Sequence, residues 1–158
     1  MPTRALDDTA LTGLVADATA APSMHNAQPW QFRYTRHNRT FALRADFEHA
    51  TPEADDPTTR ALHVSCGAAL LNLRVSAAHH GLDALTTLLP EPSDPAVLAT
   101  VGLDVRPGAR REPADEALAA LHPAIRDRHT SRCPFDEQVI PEDVRAQLAG
   151  TTGCAPVR

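Results

Sequence analysis

The chain has 158 residues, 42% of them hydrophobic, and a formal net charge of −5. This length and composition suit one globular domain with a core, and the acidic balance argues against nucleic acid or an anionic membrane as the main partner. All fifteen basic residues are Arg, which excludes a Schiff-base lysine and a Walker-type phosphate loop.

Cysteine usage and hydropathy bear on the compartment. Cys66, Cys133 and Cys154 are odd in number and show no C-x-x-C spacing, so a disulfide framework is not expected. We expect no segment to be apolar enough to span a membrane, and residues 1–12 lack the apolar core of a signal peptide. The sequence therefore predicts a reduced, cytoplasmic protein.

The first predicted elements are a helix and a hairpin. From Leu11, apolar residues recur at helical spacing and predict a helix over residues 8–19, with Asp7 or Asp8 able to cap its first turn. Alternating apolar and polar residues predict hairpin strands at 31–36 and 40–46. The acidic segment that follows, residues 46–57, lacks the EF-hand pattern and predicts a solvated loop or a mobile lid.

The longest predicted helix begins at Thr58 or Thr59 and ends near His80, before Gly81, a residue typical of helix C-termini. Its apolar stripe consists of Leu62, Cys66, Ala69, Leu70, Leu73 and Ala77. A cysteine on this stripe is expected to be a small buried hydrophobe and not a nucleophile. Small residues at 65 and 67–69 would permit close approach of another helix or a dimer partner.

Histidines offer no metal motif. His79 and His80 are adjacent and should point apart on a helix, so they are interpreted as surface or helix-end residues. The eight His show no H-E-x-x-H pattern, and no metal site is predicted.

The remaining elements complete an α+β pattern. Strands are predicted at 84–89 and 98–105, joined by a rigid proline-rich connection, and a polar linker follows at 106–113. A helix over 116–127 should be kinked or shortened by Pro123, and a short helix over 141–148 has Pro141 near its first turn. Together these elements predict a small, mostly antiparallel sheet with helices packed around the long central helix.

Residues 21–32 form the most distinctive stretch, a polar loop held by Pro22 and Pro29. Proline disfavours helical geometry in the residue before it, and in an extended loop Asn26 and Gln28 would face the same side. Their amides could then bind one planar heterocycle, with the Ser23 hydroxyl nearby. The alternative is that Ser23 and Asn26 make local turn bonds and that Trp30 belongs to the core.

A second polar stretch lies at residues 128–135. In extended geometry Arg128, Thr130 and Arg132 would share one side, and two guanidinium groups with a hydroxyl can bind a phosphate dianion. The alternative is a solvated basic loop that pairs with Asp127, Asp136 and Glu137.

Both stretches resemble motifs of one family. Ala-Pro-Ser-x-x-Asn-x-Gln-Pro-Trp-x-Phe at residues 21–32 is similar to the signature of the FMN-dependent nitroreductase family. The segment from Arg128 to Phe135, followed by Val-Ile-Pro at 139–141, is similar to the Arg-x-Ser/Thr-x-Arg motif that opens ordinary nitroreductases. Here that motif comes last, and Phe135 is displaced by one position. Both features resemble the actinobacterial Acg branch, in which two nitroreductase-like halves are fused in one chain.

The resemblance implies a domain organisation and a site. Residues 1–158 would form a single nitroreductase-like half-domain, the N-terminal half of the fused form, with 128–158 resembling the start of a truncated second half. The Arg motif of one unit would hold the FMN phosphate, and the loop of the other unit would contact the flavin. The implied cofactor-binding residues are Pro22, Ser23, Met24, Asn26, Gln28, Arg128, Thr130 and Arg132.

The resemblance also implies partners and an activity. The long helix resembles the one at the family's dimer interface, so a homodimer or a missing second half would complete the site. The implied activity is FMN-dependent reduction of nitro or quinone-like acceptors by NAD(P)H, in which the flavin carries the hydride chemistry and no side chain is catalytic. The alternatives are a non-catalytic module that stores flavin or dimerises, and a purely structural fragment.

Overall fold

The computed structural model describes residues 6–52, 55–105 and 113–152, and this part of the chain contains one four-stranded sheet. The strands β1 (Trp30–Thr35), β2 (Thr40–Ala45), β3 (Leu82–Leu88) and β4 (Val97–Val105) lie in the order β1-β2-β4-β3, and all neighbours are antiparallel. Each predicted strand is found within two residues of its predicted bounds. The expected antiparallel sheet and α+β class are confirmed.

Five helices accompany the sheet in the described residues: α1 (Asp8–Thr19), α2 (Arg60–His79), α3 (Pro113–Ala120), α4 (His122–Asp127) and α5 (Glu142–Thr152). The side chain of Asp7 caps α1 by accepting a hydrogen bond from the Ala10 N–H at 2.8 Å. Gly81 follows α2 with φ of 75°, the left-handed geometry that favours glycine.

Proline explains the break in the helix predicted over 116–127. The structure has two helices there, α3 and α4, and Pro123 occupies the first turn of α4, where its missing N–H is not needed. Residues 106–112 of the predicted linker lie outside the described residues, and Pro113 already belongs to α3. The last helix, α5, begins directly after Pro141 as expected, and it continues beyond residue 148 to Thr152.

Helix α2 is the centre of the fold, because it contacts α1, α3, α4 and strands β2, β3 and β4. One core cluster joins α1, the C-terminal half of α2 and the sheet, and its fully buried members include Leu14, Leu73 and Phe41. A second cluster surrounds Trp30 and the N-terminal half of α2. The loop at residues 21–29 lies against this second cluster.

By length and composition α2 could cross a membrane, so the expectation that no segment is apolar enough does not hold for this helix. In the fold, 56% of that apolar stretch is buried against the rest of the protein. The core helix of a folded domain passes the same test.

The acidic segment after β2 is not simply solvated, which corrects the prediction for Asp46 and Asp56. Both side chains are buried. Asp56 accepts hydrogen bonds from the backbone N–H groups of Ala61 at 3.1 Å and Leu62 at 3.0 Å, and so satisfies donors at the start of α2 that have no partner within the helix. A buried carboxylate is stable only with such partners. Residues 53 and 54 lie outside the described part of the chain.

Candidate cofactor site

The polar loop is held firmly at its C-terminal end. Pro29 and Trp30 are buried, and the Pro29 carbonyl accepts hydrogen bonds from the Asp46 N–H and the Cys66 thiol, both at 3.1 Å. The Trp30 N–H donates to the Gln28 carbonyl at 2.8 Å, which closes a tight turn around Pro29. The polar residues of the loop therefore precede a backbone segment whose position is fixed by hydrogen bonds.

The loop is coiled, so the extended geometry that would align Asn26 and Gln28 is not found. Residues Met24–Asn26 form a 3₁₀ turn, in which the Asn26 N–H donates to the Ser23 carbonyl at 3.0 Å. His25, Asn26 and Gln28 have φ values of 53°, 58° and 51°. Left-handed geometry costs roughly 1–2 kcal/mol for an ordinary residue and least for Asn. The side chains of Asn26 and Gln28 therefore do not point to the same side in the way that alternate residues of an extended strand do.

Ser23 and Trp30 agree with the alternative interpretation, in which Ser23 makes a local turn bond and Trp30 belongs to the core. The Ser23 hydroxyl oxygen accepts a hydrogen bond from the Gln28 N–H at 2.9 Å, which bridges the loop, and Trp30 is a core residue with 7% of its surface exposed. Asn26 differs, because its side chain is exposed and makes no hydrogen bond among the described residues. The same holds for the side-chain amide of Gln28. Pro22 and Met24 also lie on the surface.

The Arg segment is exposed and irregular. Arg128 has extended backbone angles, and its guanidinium donates to the Thr130 hydroxyl at 3.0 Å and to the Ala20 carbonyl at 3.3 Å. Arg132 has no hydrogen bond or ion pair within the described residues. The alternative of pairing with nearby acids is not seen there, since no ion pair joins Arg128 or Arg132 to Asp127, Asp136 or Glu137.

The contact between Arg128 and Ala20 brings the two motifs together within one chain. Ala20 directly follows α1 and directly precedes the loop. Arg128 and Thr130 therefore lie beside the N-terminal end of the loop, although they are more than a hundred residues away in sequence.

A buried carboxylate that the sequence did not reveal lies close to this contact. Asp17 in α1 accepts hydrogen bonds from Ser76 Oγ at 2.7 Å, His122 Nε2 at 2.9 Å and Arg126 Nη2 at 2.8 Å. Its position three residues after the buried Leu14 puts it on the apolar face of α1, a signal that it needs partners. Burial by itself raises the pKa of Asp17, but the hydrogen bonds from these three side chains outweigh that effect and lower it.

Histidine rings gather at the end of α2. The ring of His79 stacks on that of His122, with centroids 3.8 Å apart and planes within 5°. His79 and His80 lie at the exposed helix end as predicted, but their rings do not point apart: they meet edge to face, with centroids 5.3 Å apart. In the described residues, no group of three or more His, Cys, Asp or Glu side chains could hold a metal ion.

Cys66 lies beneath the loop. It is 1% exposed, and burial raises the pKa of its thiol to about 11. The expectation of a small buried residue without nucleophilic character agrees with this position.

The fold and the paired motifs define a nitroreductase-type α+β protein, and comparison with known proteins supports that class. No profile of a known protein family matches the chain. A protein of Mycobacterium tuberculosis strain H37Rv, provisionally named NAD(P)H nitroreductase acg, is 33% identical over the whole chain, which covers 45% of that relative. Another provisionally named NAD(P)H nitroreductase of the same strain is 38% identical over 73% of the chain and 32% of its own length.

Solved structures show the same fold. A nitroreductase family protein from Streptococcus pneumoniae TIGR4 aligns with a TM-score of 0.53 at 17% identity, over 72% of this chain and 89% of that one. A protein from Parabacteroides distasonis ATCC 8503, provisionally named NADH dehydrogenase/NAD(P)H nitroreductase, aligns with a TM-score of 0.55 at 18% identity, over 70% and 81%. The family resemblance of the two motifs is confirmed: the chain is similar in sequence to provisionally named NAD(P)H nitroreductases and has the fold of nitroreductase family proteins. It spans less than half the length of the curated relatives it matches.

Proposed function

We propose that the chain binds FMN and takes part in NAD(P)H-driven reduction of nitro or quinone-like acceptors. The observation that carries the proposal is the contact of Arg128 with Ala20, which brings the Arg segment beside the start of the loop. The curated relatives that carry NAD(P)H nitroreductase names support the same reaction class.

The exposed donors suit the chemistry of FMN. Arg128, Thr130 and Arg132 would bind the phosphate, because guanidinium groups form charge-assisted bonds with its oxygens. The free amides of Asn26 and Gln28 match the alternating donors and acceptors on the edge of a flavin ring. When bound, FMN supplies the hydride chemistry, and the protein supplies position; we assign no catalytic side chain.

The other loop residues would shape the site. The Ser23 hydroxyl already accepts the Gln28 N–H, so its role is to hold the loop in its coiled form. Pro22 and Met24 would add apolar contacts beside the ring.

A second unit would complete the site, either a second copy of the chain or a second half of the same fold that begins within residues 128–158. Val64 and Leu71 are exposed on α2, and the space beside Gly67 is open. Phe135, Val139 and Ile140 are exposed after the Arg segment. These apolar surfaces suit a partner that covers them.

The free thiols of Cys66 and Cys133 fit a reducing compartment such as the cytoplasm.

One observation favours a second candidate function, a module that stores flavin without turnover. All residues of the Arg segment and most of the polar loop are exposed, so a single unit would not exclude water from the flavin. Exclusion of water is one way in which active sites favour the desired reaction.

The first experiment is the visible spectrum of the purified protein across a sizing column, before and after FMN is added. Flavin absorbance that travels with a dimer supports the proposal, and oxidation of NADPH with a quinone then separates the enzyme from the storage module. A protein that remains colourless after addition of FMN contradicts both flavin functions.

The phosphate contact has its own test. Arg132→Ala should weaken FMN binding by roughly 1.5–3 kcal/mol, the scale of a hydrogen bond to a charged group, as measured by fluorescence titration. Arg145→Ala is the control, because Arg145 is exposed on α5 and pairs with Glu142. An FMN affinity that Arg132→Ala leaves unchanged would contradict the assignment.

A further inference from the structure

We infer that Asp17 is a positioning residue, which fixes α4 against α1 so that Arg128 is presented to the phosphate of the flavin. This inference rests on the proposed function and adds to it a residue outside both motifs. Asp17 itself would not touch the cofactor.

The Asp17 carboxylate joins three helices. Its Oδ1 accepts from Arg126, and its Oδ2 accepts from Ser76 and His122. The Asp17 carbonyl also accepts a hydrogen bond from the Asn72 side chain at 3.1 Å. Asp17 is in α1, Ser76 in α2 and the other two carboxylate partners in α4, so one buried side chain fixes the mutual position of these helices.

The two α4 partners suit this role because of their spacing. His122 and Arg126 are four residues apart, so they lie on the same face of α4. The ring of His122 is also stacked on His79 from α2. One face of α4 is thus bonded to the carboxylate of α1 and stacked on a ring of α2.

The position of Arg128 is set by α4, which it directly follows. Its backbone N–H donates to the Ala124 carbonyl at 3.0 Å, which continues the hydrogen bonding of the helix, and its side chain reaches the Ala20 carbonyl, three residues after Asp17. The C-terminal end of α4 is therefore tied twice to the C-terminal end of α1. Loss of the Asp17 contacts would leave α4 packed on α2 but untie it from α1, so that one 3.3 Å bond from Arg128 would hold this end of α4 beside the loop.

Asp17 also neutralises a competing cation. Arg126 is two residues before Arg128, and its guanidinium is bound to the carboxylate. Arg128 and Arg132 have no such carboxylate partner among the described residues, which leaves them for an anionic ligand. A phosphate would then meet the two guanidinium groups of the motif in a defined geometry.

The test compares FMN with riboflavin, which lacks the phosphate. Dissociation constants of both ligands are measured by flavin fluorescence for the wild type, Asp17→Asn and Arg126→Gln. The Arg126 side chain is 61% exposed, so the second variant keeps the core intact if the first one unfolds. Both variants should weaken FMN binding by roughly ten- to a hundredfold, the scale of one charge-assisted hydrogen bond, and should leave riboflavin binding within about twofold.

A matched control separates positioning from loss of stability. Asp56→Asn alters another buried carboxylate, which binds only the start of α2, and should change neither dissociation constant. Equal weakening of FMN and riboflavin by Asp17→Asn and Arg126→Gln would overturn the inference, and so would unchanged binding of both ligands. Either outcome leaves the proposed function intact if the wild type binds FMN normally. A wild type that binds neither flavin would contradict both the proposed function and this inference.

Discussion

At the scale of single residues, burial decides what Cys66 can do. Its thiol donates to the Pro29 carbonyl, and burial raises its pKa to about 11. Thiols react as thiolates, so at pH 8 only about a thousandth of this group is in the reactive form. Cys133 is free and exposed, and it has no such protection.

This difference predicts selective alkylation. In the variant Cys133→Ser with Cys154→Ser, which keeps only Cys66, a thiol reagent at pH 8 should label the folded protein at least about a hundredfold more slowly than the protein in urea. Mass spectrometry over time measures the rate. Wild-type protein provides the comparison, since Cys133 should react at once. Equal rates for Cys66 in the folded and unfolded protein would contradict its burial.

The polar loop stores backbone strain at the residue scale. His25, Asn26 and Gln28 all have positive φ, and such geometry persists only where surrounding contacts enforce it. The bond from the Gln28 N–H to Ser23 Oγ and the turn around Pro29 provide that support. Strain of this kind is frequent at ligand-binding loops.

At the scale of elements, α2 depends on a cap that lies outside it. Thr59 precedes the helix in left-handed geometry, and its side chain makes no capping bond. Asp56, three residues before Thr59, caps the helix instead. Its two carboxylate oxygens accept hydrogen bonds from backbone N–H groups of the first turn. The start of the longest helix is therefore tied to the preceding loop.

Removal of this cap should destabilise the protein. Asp56→Ala is expected to lower the free energy of unfolding by about 1–2 kcal/mol, the usual cost of a lost helix cap, as measured by urea denaturation with Trp30 fluorescence. The neighbouring Asp55→Ala is the control, because Asp55 is exposed. Equal effects of the two substitutions would show that the cap adds nothing.

At the scale of the whole molecule, α1, α2 and α4 are joined by one ionised group. Burial opposes the charge of Asp17, but three hydrogen-bond donors lower its pKa below the ordinary value of 3.8. A carboxyl whose pKa is lowered by folding stabilises the native state above its unfolded pKa, and this contribution is lost as the pH falls through the folded pKa. Asp46 and Asp94 also have lowered pKa values, through hydrogen bonds from Gln31 and Arg44 respectively.

The sign of this effect predicts how the fold responds to acid. Asp17→Asn should lower the free energy of unfolding by roughly 1–3 kcal/mol at pH 6, and the difference from wild type should narrow below about pH 4. Urea denaturation between pH 6 and pH 3 measures both curves. Curves that stay parallel over this range would show that the Asp17 charge does not contribute.

Much of the secondary structure could be predicted because its signals are local. The apolar spacing after Asp7, the glycine after α2 and Pro123 each act on neighbouring backbone through sterics and short-range hydrogen bonds. The predicted bounds of α1 and the hairpin agree with the structure for this reason. The loop conformation was missed, because extended and coiled forms of residues 23–28 satisfy the same two prolines, and the bond between Gln28 and Ser23 selects the coiled one.

The sequence by itself determined the elements, the family resemblance and the two motifs. Only the tertiary structure decided which polar groups meet: Asp17 bonds residues 59, 105 and 109 positions away, and Arg128 reaches Ala20 from 108 positions away. Local spacing encodes which face of a helix is apolar, whereas contacts across such distances arise only when the helices pack. Burial then makes hydrogen bonding obligatory for a carboxylate such as Asp17, since an unpaired buried charge is too costly to retain.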